Sequence, residues 1–519
     1  MAIFNFNDPE PDQSGHSKHM PATKPAGGGW RLPFKTALAV VVLVGALVGW
    51  HWFVDRGKGL DPGIFADTFR LHWPRPPAPV VPKAPTIQIN GKLPQISPVF
   101  ADDTNNLDSF YAALWGLEQA KQEQGKANVV VTILHYGDSP TTADMITGDV
   151  RAQLQDRFGD AGRGYTLIAK PWAWYGHRGV EISDHGWKIR TGVGLMREGI
   201  YGLGGAAFEG QPGAWSKFRL TESGQSAVEV EYLAKPGGGV FAVEADDEQI
   251  VEQTTDAETQ TAASVHVALP IGTKIVSIRP TSGSVTLFGA DFRRGSAGLL
   301  YDSLGLNGAT TSVIARVLQP VVWKQELDHA APALVIVNYG SNESSFGSFV
   351  HMGYANELRL AIQRVRDRAP AASILIMSPM DRGERSGLDE IKTMDTIPEI
   401  VAIQRQVAAE THVAFFDTYN AMGGDGTMAR WYATSPRLVT ADLLHPTPQG
   451  ATIVAGLFVD QLDLGYNRWK MQHGIALPAA SPASTPKADA QKAAANTKPK
   501  AKSKSKPVAK RTGKKAREK

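Results

Sequence analysis

The chain has 519 residues, 42% of them apolar, with 54 Lys and Arg against 51 Asp and Glu and no cysteine. That length can bury a large core and accommodate several domains, while the lack of Cys excludes disulfides, thiolate zinc sites, iron–sulfur clusters and a Cys nucleophile. The formal net charge of +3 hides an asymmetry: residues 481–519 hold 13 Lys and Arg against Asp489 and Glu518, a net +11, so the remainder carries −8 and does not fit a nucleic-acid binder of whole-domain type.

Residues 1–35 lead into a run from Thr36 to Val54 in which His51 is the one strongly polar side chain. Nineteen residues at about 1.5 Å each match the ~30 Å hydrocarbon core of a bilayer. Lys24, Arg31 and Lys35 precede the run with no acid between them, and Trp50, Trp52 and Phe53 suit an interfacial belt. The charge bias predicts a single-pass transmembrane helix in the cytoplasmic (inner) membrane, with residues 1–35 inside and everything after Val54 extracytoplasmic, hence periplasmic. No A-x-A site closes the run, which favours an uncleaved anchor over a signal peptide. Residues 55–100 include Pro74, Pro76, Pro77, Pro79, Pro82, Pro85, Pro94 and Pro98, the composition of an extended, semi-rigid linker.

From Asn106 to Leu464 short apolar runs alternate with amphipathic periods. Val129–Leu134, Leu334–Asn338, Ile374–Ser378 and Val413–Asp417 read as strands buried on both faces. Helical periods cover Thr142–Phe158, Glu357–Arg368, Glu399–Glu410 and Gln449–Leu462. The alternation predicts an α/β fold, a parallel sheet between two helical layers. Residues 187–292 break it with short alternating runs such as AVEVEYLA, GVFAVEA and SVTLFGADF separated by turn residues. They predict a β-sandwich of jelly-roll type, inserted between an α/β part at 101–186 and another at 293–470. The Lys/Ala/Pro-rich tail, residues 471–519, has almost no large apolar side chain and is expected to be disordered. It is either a polycation for an anionic envelope polymer or lipid, or simply a solvated tail; no specific nucleic-acid partner is expected.

Four segments stand at strand ends or in loops, where open α/β sheets hold their ligands. His135-Tyr136-Gly137-Asp138-Ser139 lies between a strand and a helix. Gly305-Leu306-Asn307-Gly308-Ala309 is a glycine-bearing loop, and Gly340-Ser341-Asn342-Glu343 closes the strand at 334–338. Asp442-Leu443-Leu444-His445-Pro446 precedes the last helix. Singly they read equally as an N-cap, a turn, a cap and a surface loop. Together they offer a hydroxyl at Ser139, amide donors at Ser139, Gly308 and Asn342, and an Asp442–His445 pair able to take a serine proton.

In this order the blocks resemble those of the SGNH/GDSL hydrolase superfamily. HYGDSPTTADMITGDVR, YDSLGLNGAT and MGGDGTMARW look like its peptidoglycan O-acetylesterase branch, which is similar in carrying a carbohydrate-binding-module-like β domain between the first two blocks. Ser139 to Gly308 spans 169 positions and Gly308 to Asn342 only 34, as such an insertion requires. The resemblance covers residues 100–465. It implies an envelope-anchored esterase with Ser139, His445 and Asp442 as catalytic residues, and Ser139, Gly308 and Asn342 as oxyanion donors. It further implies an acetylated polysaccharide as substrate and no cofactor. Pro140 departs from the His or Leu of many relatives but is tolerated at a first helical position. No G-x-S-x-G or Walker A loop occurs, and His16 and His19 are too isolated to argue a metal site. Trp172, Trp174, Tyr175 and His177 form an aromatic-dense stretch suited to stacking on sugars, or to wedging the β module against the core. An O-acyltransferase with the same triad and a non-catalytic glycan-binding scaffold are the alternatives.

Overall fold

Consecutive apolar residues give a strand that can be buried on both faces, and six such strands build the central sheet. In the computed structural model, which describes residues 100–477 apart from 103–104, 123–128, 195–198, 296 and 387–389, they are β1 (Phe100–Ala101), β2 (Val130–Gly137), β3 (Gly298–Gly305), β4 (Leu334–Asn338), β5 (Ser373–Met377) and β6 (Ala414–Phe416). Their order is β1-β6-β5-β4-β2-β3. Every pairing is parallel except that of the edge strand β1 with β6. The expected anchor at 36–54, nearly all of the linker, and the tail beyond residue 477 lie outside the described residues. Among the described residues no helix is long and apolar enough to cross a membrane.

Alternation along each strand feeds two cores. In β4, Leu334 and Ile336 join Val150 and Leu154 of α3 (Met145–Phe158), Val454 and Phe458 of α8 (Pro448–Gln472), and Phe110 and Leu114 of α1 (Asp108–Gln122). Val335 and Val337 join Trp323, Leu358, Ile362 and Val401 from α4 (Pro320–Ala330), α5 (Tyr354–Arg368) and α6 (Thr396–Thr411). The result is three layers, helix on sheet on helix.

The predicted helix from Thr142 begins differently. A short turn, α2 (Ser139–Thr142), is separated from α3 by Asp144, whose φ of 53° lies in the left-handed region. The Asp144 carboxylate there accepts from the buried Arg151 and from the Arg178 N–H (2.8 Å). Strand β3 is a second difference: Asp302 and Ser303 interrupt its apolar pattern, yet both are buried. Asp302 accepts from the Tyr165 N–H (3.0 Å), and Ser303 lies 2.9 Å from Thr147 Oγ1. Polar residues satisfied inside a core look like loop residues in one dimension.

Between α3 and β3 the chain forms two antiparallel sheets drawn from Gly162 to Arg293, so the strands start ahead of Trp187. They pack face to face: Phe218 of one sheet meets Phe292 of the other at 5.5 Å between ring centroids, and Phe241 meets Tyr232 likewise. Gly162–Leu167 adds to the sheet edge beside Val285–Arg293. This sandwich leans on the α/β part through α4, where the Ala262 N–H donates to Gln325 Oε1 (2.9 Å) and His329 lies 2.7 Å from Glu229.

Gly305, at the end of β3, has room for hydrogen only: a Cβ would come within 2.3 Å of the Thr142 backbone nitrogen. That close approach seats the Ser139 turn on the sheet. Gly305→Ala is therefore expected to destabilise the chain by about 1–3 kcal/mol, read as a lower urea midpoint of unfolding.

Candidate active site

All four chemistry-bearing segments emerge at the carboxyl ends of the parallel strands, because β2, β3 and β4 run side by side in the same direction. Ser139 follows the end of β2, and Gly308 follows the end of β3. Asn342 follows the end of β4, and the Asp442–Pro446 loop enters α8.

This last loop brings its two polar side chains together through a strained turn. Leu443 takes a φ of 60°, costing about 1–2 kcal/mol for a residue with a Cβ. Its side chain is buried and its carbonyl accepts from the Gly383 N–H (2.9 Å). The turn is thus held from below, and Asp442 and His445 face each other. His445 Nδ1 lies 2.6 Å from Asp442 Oδ2, and His445 Nε2 lies 2.8 Å from Ser139 Oγ. Burial alone would raise the Asp442 carboxyl. Donors from Thr440 Oγ1 (2.6 Å), the His445 ring and the His445 and Leu444 N–H groups instead hold it at about 2. Asp442 is therefore ionised at any ordinary pH, so that its partner nitrogen carries the proton and Nε2 faces the serine as an acceptor. The His445 and Asp442 side chains are 35% and 51% exposed, which makes this an open site at the surface.

Gly308 takes a φ of 74° with nothing within 4 Å of the place a Cβ would occupy. Glycine is needed there for backbone conformation, and the space above it is free. Asn342 does not cap the turn that follows it. Its Nδ2 donates to the Ala309 carbonyl (2.8 Å), which fixes the amide against the Gly308 loop and leaves its second N–H available. Neither the Ser139 nor the Gly308 N–H finds an acceptor among the described residues.

Beneath these donors sits a group that sequence reasoning passed over. Glu343, buried, accepts through one oxygen from the Thr311 N–H and hydroxyl, each at 2.8 Å, and through the other from the Gly340 N–H at 3.1 Å. One carboxylate thereby joins the loop bearing Gly308 to the loop bearing Asn342. The available signal was a charged residue directly after Asn342 in a run otherwise heading into the core. Arg382, in the segment after β5, adds to the same loop by donating to the Ser341 carbonyl (2.7 Å) and to the Ser344 and Ser345 hydroxyls. Asp138, next to the serine, is fully enclosed. Burial raises its carboxyl to about 7, a hydrogen bond with Ser341 opposes the shift, and the nearby Glu343 adds to it.

The aromatic stretch divides. Trp174 is 60% exposed and Trp172 half-buried, but Tyr175 and His177 are interior. The Tyr175 hydroxyl accepts from the Leu167 N–H (2.8 Å), and the His177 ring packs beside the Asp144–Arg151 pair, where burial lowers it to about 4. The segment folds back between two strands and needs internal polar partners, so Tyr175 and His177 serve the wedge and not a sugar platform. Among the described residues no group of His, Asp and Glu is arranged to hold a metal ion.

Residues 277–453 match the GDSL-like lipase/acylhydrolase family. No curated protein matches the sequence. Among solved structures, a peptidoglycan O-acetylesterase superposes with a TM-score of 0.60 at 22% identity, over 70% of this chain and 98% of that one. This likeness establishes the fold. A family two carbohydrate esterase from Cellvibrio japonicus gives a TM-score of only 0.24 at 13% identity, over 59% of this chain and 98% of that one.

Two outcomes are expected. Glu343→Ala unlinks the donor loops and should lower kcat for aryl-acetate hydrolysis by about 10²-fold, the scale of a small misplacement at a reacting centre; steady-state kinetics check it. The folded chain keeps the Asp138 proton up to about pH 7, whereas an unperturbed carboxyl loses it near 3.8. The folded state then binds more protons in that window, and stability falls as pH rises through it. Asp138→Asn removes this loss, so the melting temperature of the variant relative to wild type should climb between pH 4 and pH 8.

Proposed function

On the premise that the chain is a hydrolase of the SGNH/GDSL type, the family that its residues 277–453 match, we propose that it is an envelope-anchored serine esterase removing O-acetyl groups from peptidoglycan or another extracytoplasmic polysaccharide. The observation that carries this reading is the unbroken relay from Asp442 through both nitrogens of His445 to the Ser139 hydroxyl.

In the first half-reaction Ser139 Oγ attacks the acetyl carbonyl carbon while His445 Nε2 takes the hydroxyl proton. Negative charge gathers on the carbonyl oxygen, where the Ser139 and Gly308 N–H groups and the spare Asn342 N–H donate; losing one such donor costs about 10²–10³ in rate. The carbon–oxygen bond to the sugar then breaks, and His445 returns the proton to the departing sugar hydroxyl. Water attacks the acetyl-Ser139 ester, His445 again takes a proton, and acetate leaves with Ser139 regenerated.

An open site suits a polymer, because a glycan chain can lie across it without threading. The segment at 36–54 would anchor the chain in the cytoplasmic membrane with the esterase outside. The basic tail would contact an anionic envelope polymer or lipid, and the sandwich would hold glycan. Ser139→Ala should reduce acetate release from O-acetylated peptidoglycan, or another acetylated polysaccharide on which wild type acts, by at least ~10³-fold. Equal release by both proteins would overturn the esterase reading.

A further inference from the structure

We propose that Arg385, Tyr432 and Arg437 form a subsite for a carboxylate-bearing sugar of the glycan, next to the Asp442–His445 pair. The inference rests on the esterase reading for one point, the side of the site on which the glycan lies. His445 must return a proton to the sugar oxygen, so the sugar lies on the His445 side and the acetyl oxygen lies toward Gly308 and Asn342.

The elements around His445 carry these three residues. Residues 437–440 run alongside 445–447: the Thr440 N–H donates to the His445 carbonyl (2.9 Å), Val439 bridges Pro446, and Thr447 Oγ1 donates to the Arg437 carbonyl (2.9 Å). Arg385 closes the strand Gly383–Arg385, whose Gly383 N–H is bonded to Leu443, between the two members of the pair. Tyr432 ends the helix α7 (Thr427–Tyr432). Both guanidinium carbons lie over the Tyr432 ring, Arg437 at 4.0 Å and Arg385 at 5.5 Å from its centroid.

Neither guanidinium has a carboxylate partner among the described residues, although both are exposed. The neighbouring cations are occupied. Arg382 is spent on Ser341, Ser344 and Ser345, and Arg430 on the carbonyls of Gly423 and Asp425. Lys392 lies between Glu384 and Asp395. Two like charges gathered on one ring repel each other, and an anion placed between them relieves this. A planar guanidinium fork fits a carboxylate, and stacking on the Tyr432 ring holds both forks in place. Because these elements adjoin the Asp442–His445 loop, the carboxylate belongs to the sugar that carries the ester or to its immediate neighbour.

The test is calorimetric binding to the full-length Ser139→Ala chain, with non-acetylated oligogalacturonate and its methyl-esterified counterpart as probes. The acid form should bind about tenfold more tightly than the neutral one. Adding Arg385→Gln and Arg437→Gln together should remove that preference, and Arg437→Gln alone should reduce it, with the melting temperature unchanged. A parent chain without the preference, or a double variant that keeps it through the basic tail, would overturn the subsite. Because binding is read without turnover, a failure of wild type to release acetate would sink the esterase reading separately.

Discussion

The 2.8 Å contact between His445 Nε2 and Ser139 Oγ joins residues 306 positions apart, and the proposed esterase chemistry depends on it. It exists because parallel strands all finish on the same side of a sheet. β2 delivers the serine there, and the last loop is pinned to the same edge by the buried Leu443 and its bond to Gly383. The parallel sheet is therefore a device for registering distant loops, and its two-sided apolar burial holds the register.

The opposite side of the site is organised by buried charge. Glu343 satisfies three donors from two loops, and its burial keeps its carboxyl above the ordinary range despite those bonds. Asp138 shares this interior, where burial and, to a smaller extent, the nearby Glu343 disfavour its ionisation. Such an arrangement costs folding free energy at neutral pH. It places the rigid donors of Gly308 and Asn342 without using side chains that would crowd the open space above them.

The two halves of the site differ in exposure accordingly. The donor side rests on enclosed groups, while the Asp442–His445 side is open. The sandwich stands on the α4 side, through Gln325 and His329.

Much of this was legible in one dimension. The continuous apolar runs of β2, β4, β5 and β6 declared a sheet covered on both faces, and the order of Ser139, Gly308, Asn342 and Asp442-x-x-His445 marked segments that the fold gathers on one side of that sheet. Apolar periodicity reports burial, and a motif reports residue type; the sequence by itself determined those two things. It left unassigned or undecided residues that are polar yet interior: Asp302 and Ser303 in β3, the Asp144 break ahead of α3, and Tyr175 and His177, for which a sugar platform and a wedge both stood open. It gave no role to Glu343. In each case the partner that satisfies the polar atom comes from a remote segment, Tyr165 for Asp302 and Thr311 for Glu343. Whether a polar side chain faces solvent, substrate or the core was decided only by the tertiary structure, because desolvation is offset by hydrogen bonds that exist only once distant strands have met.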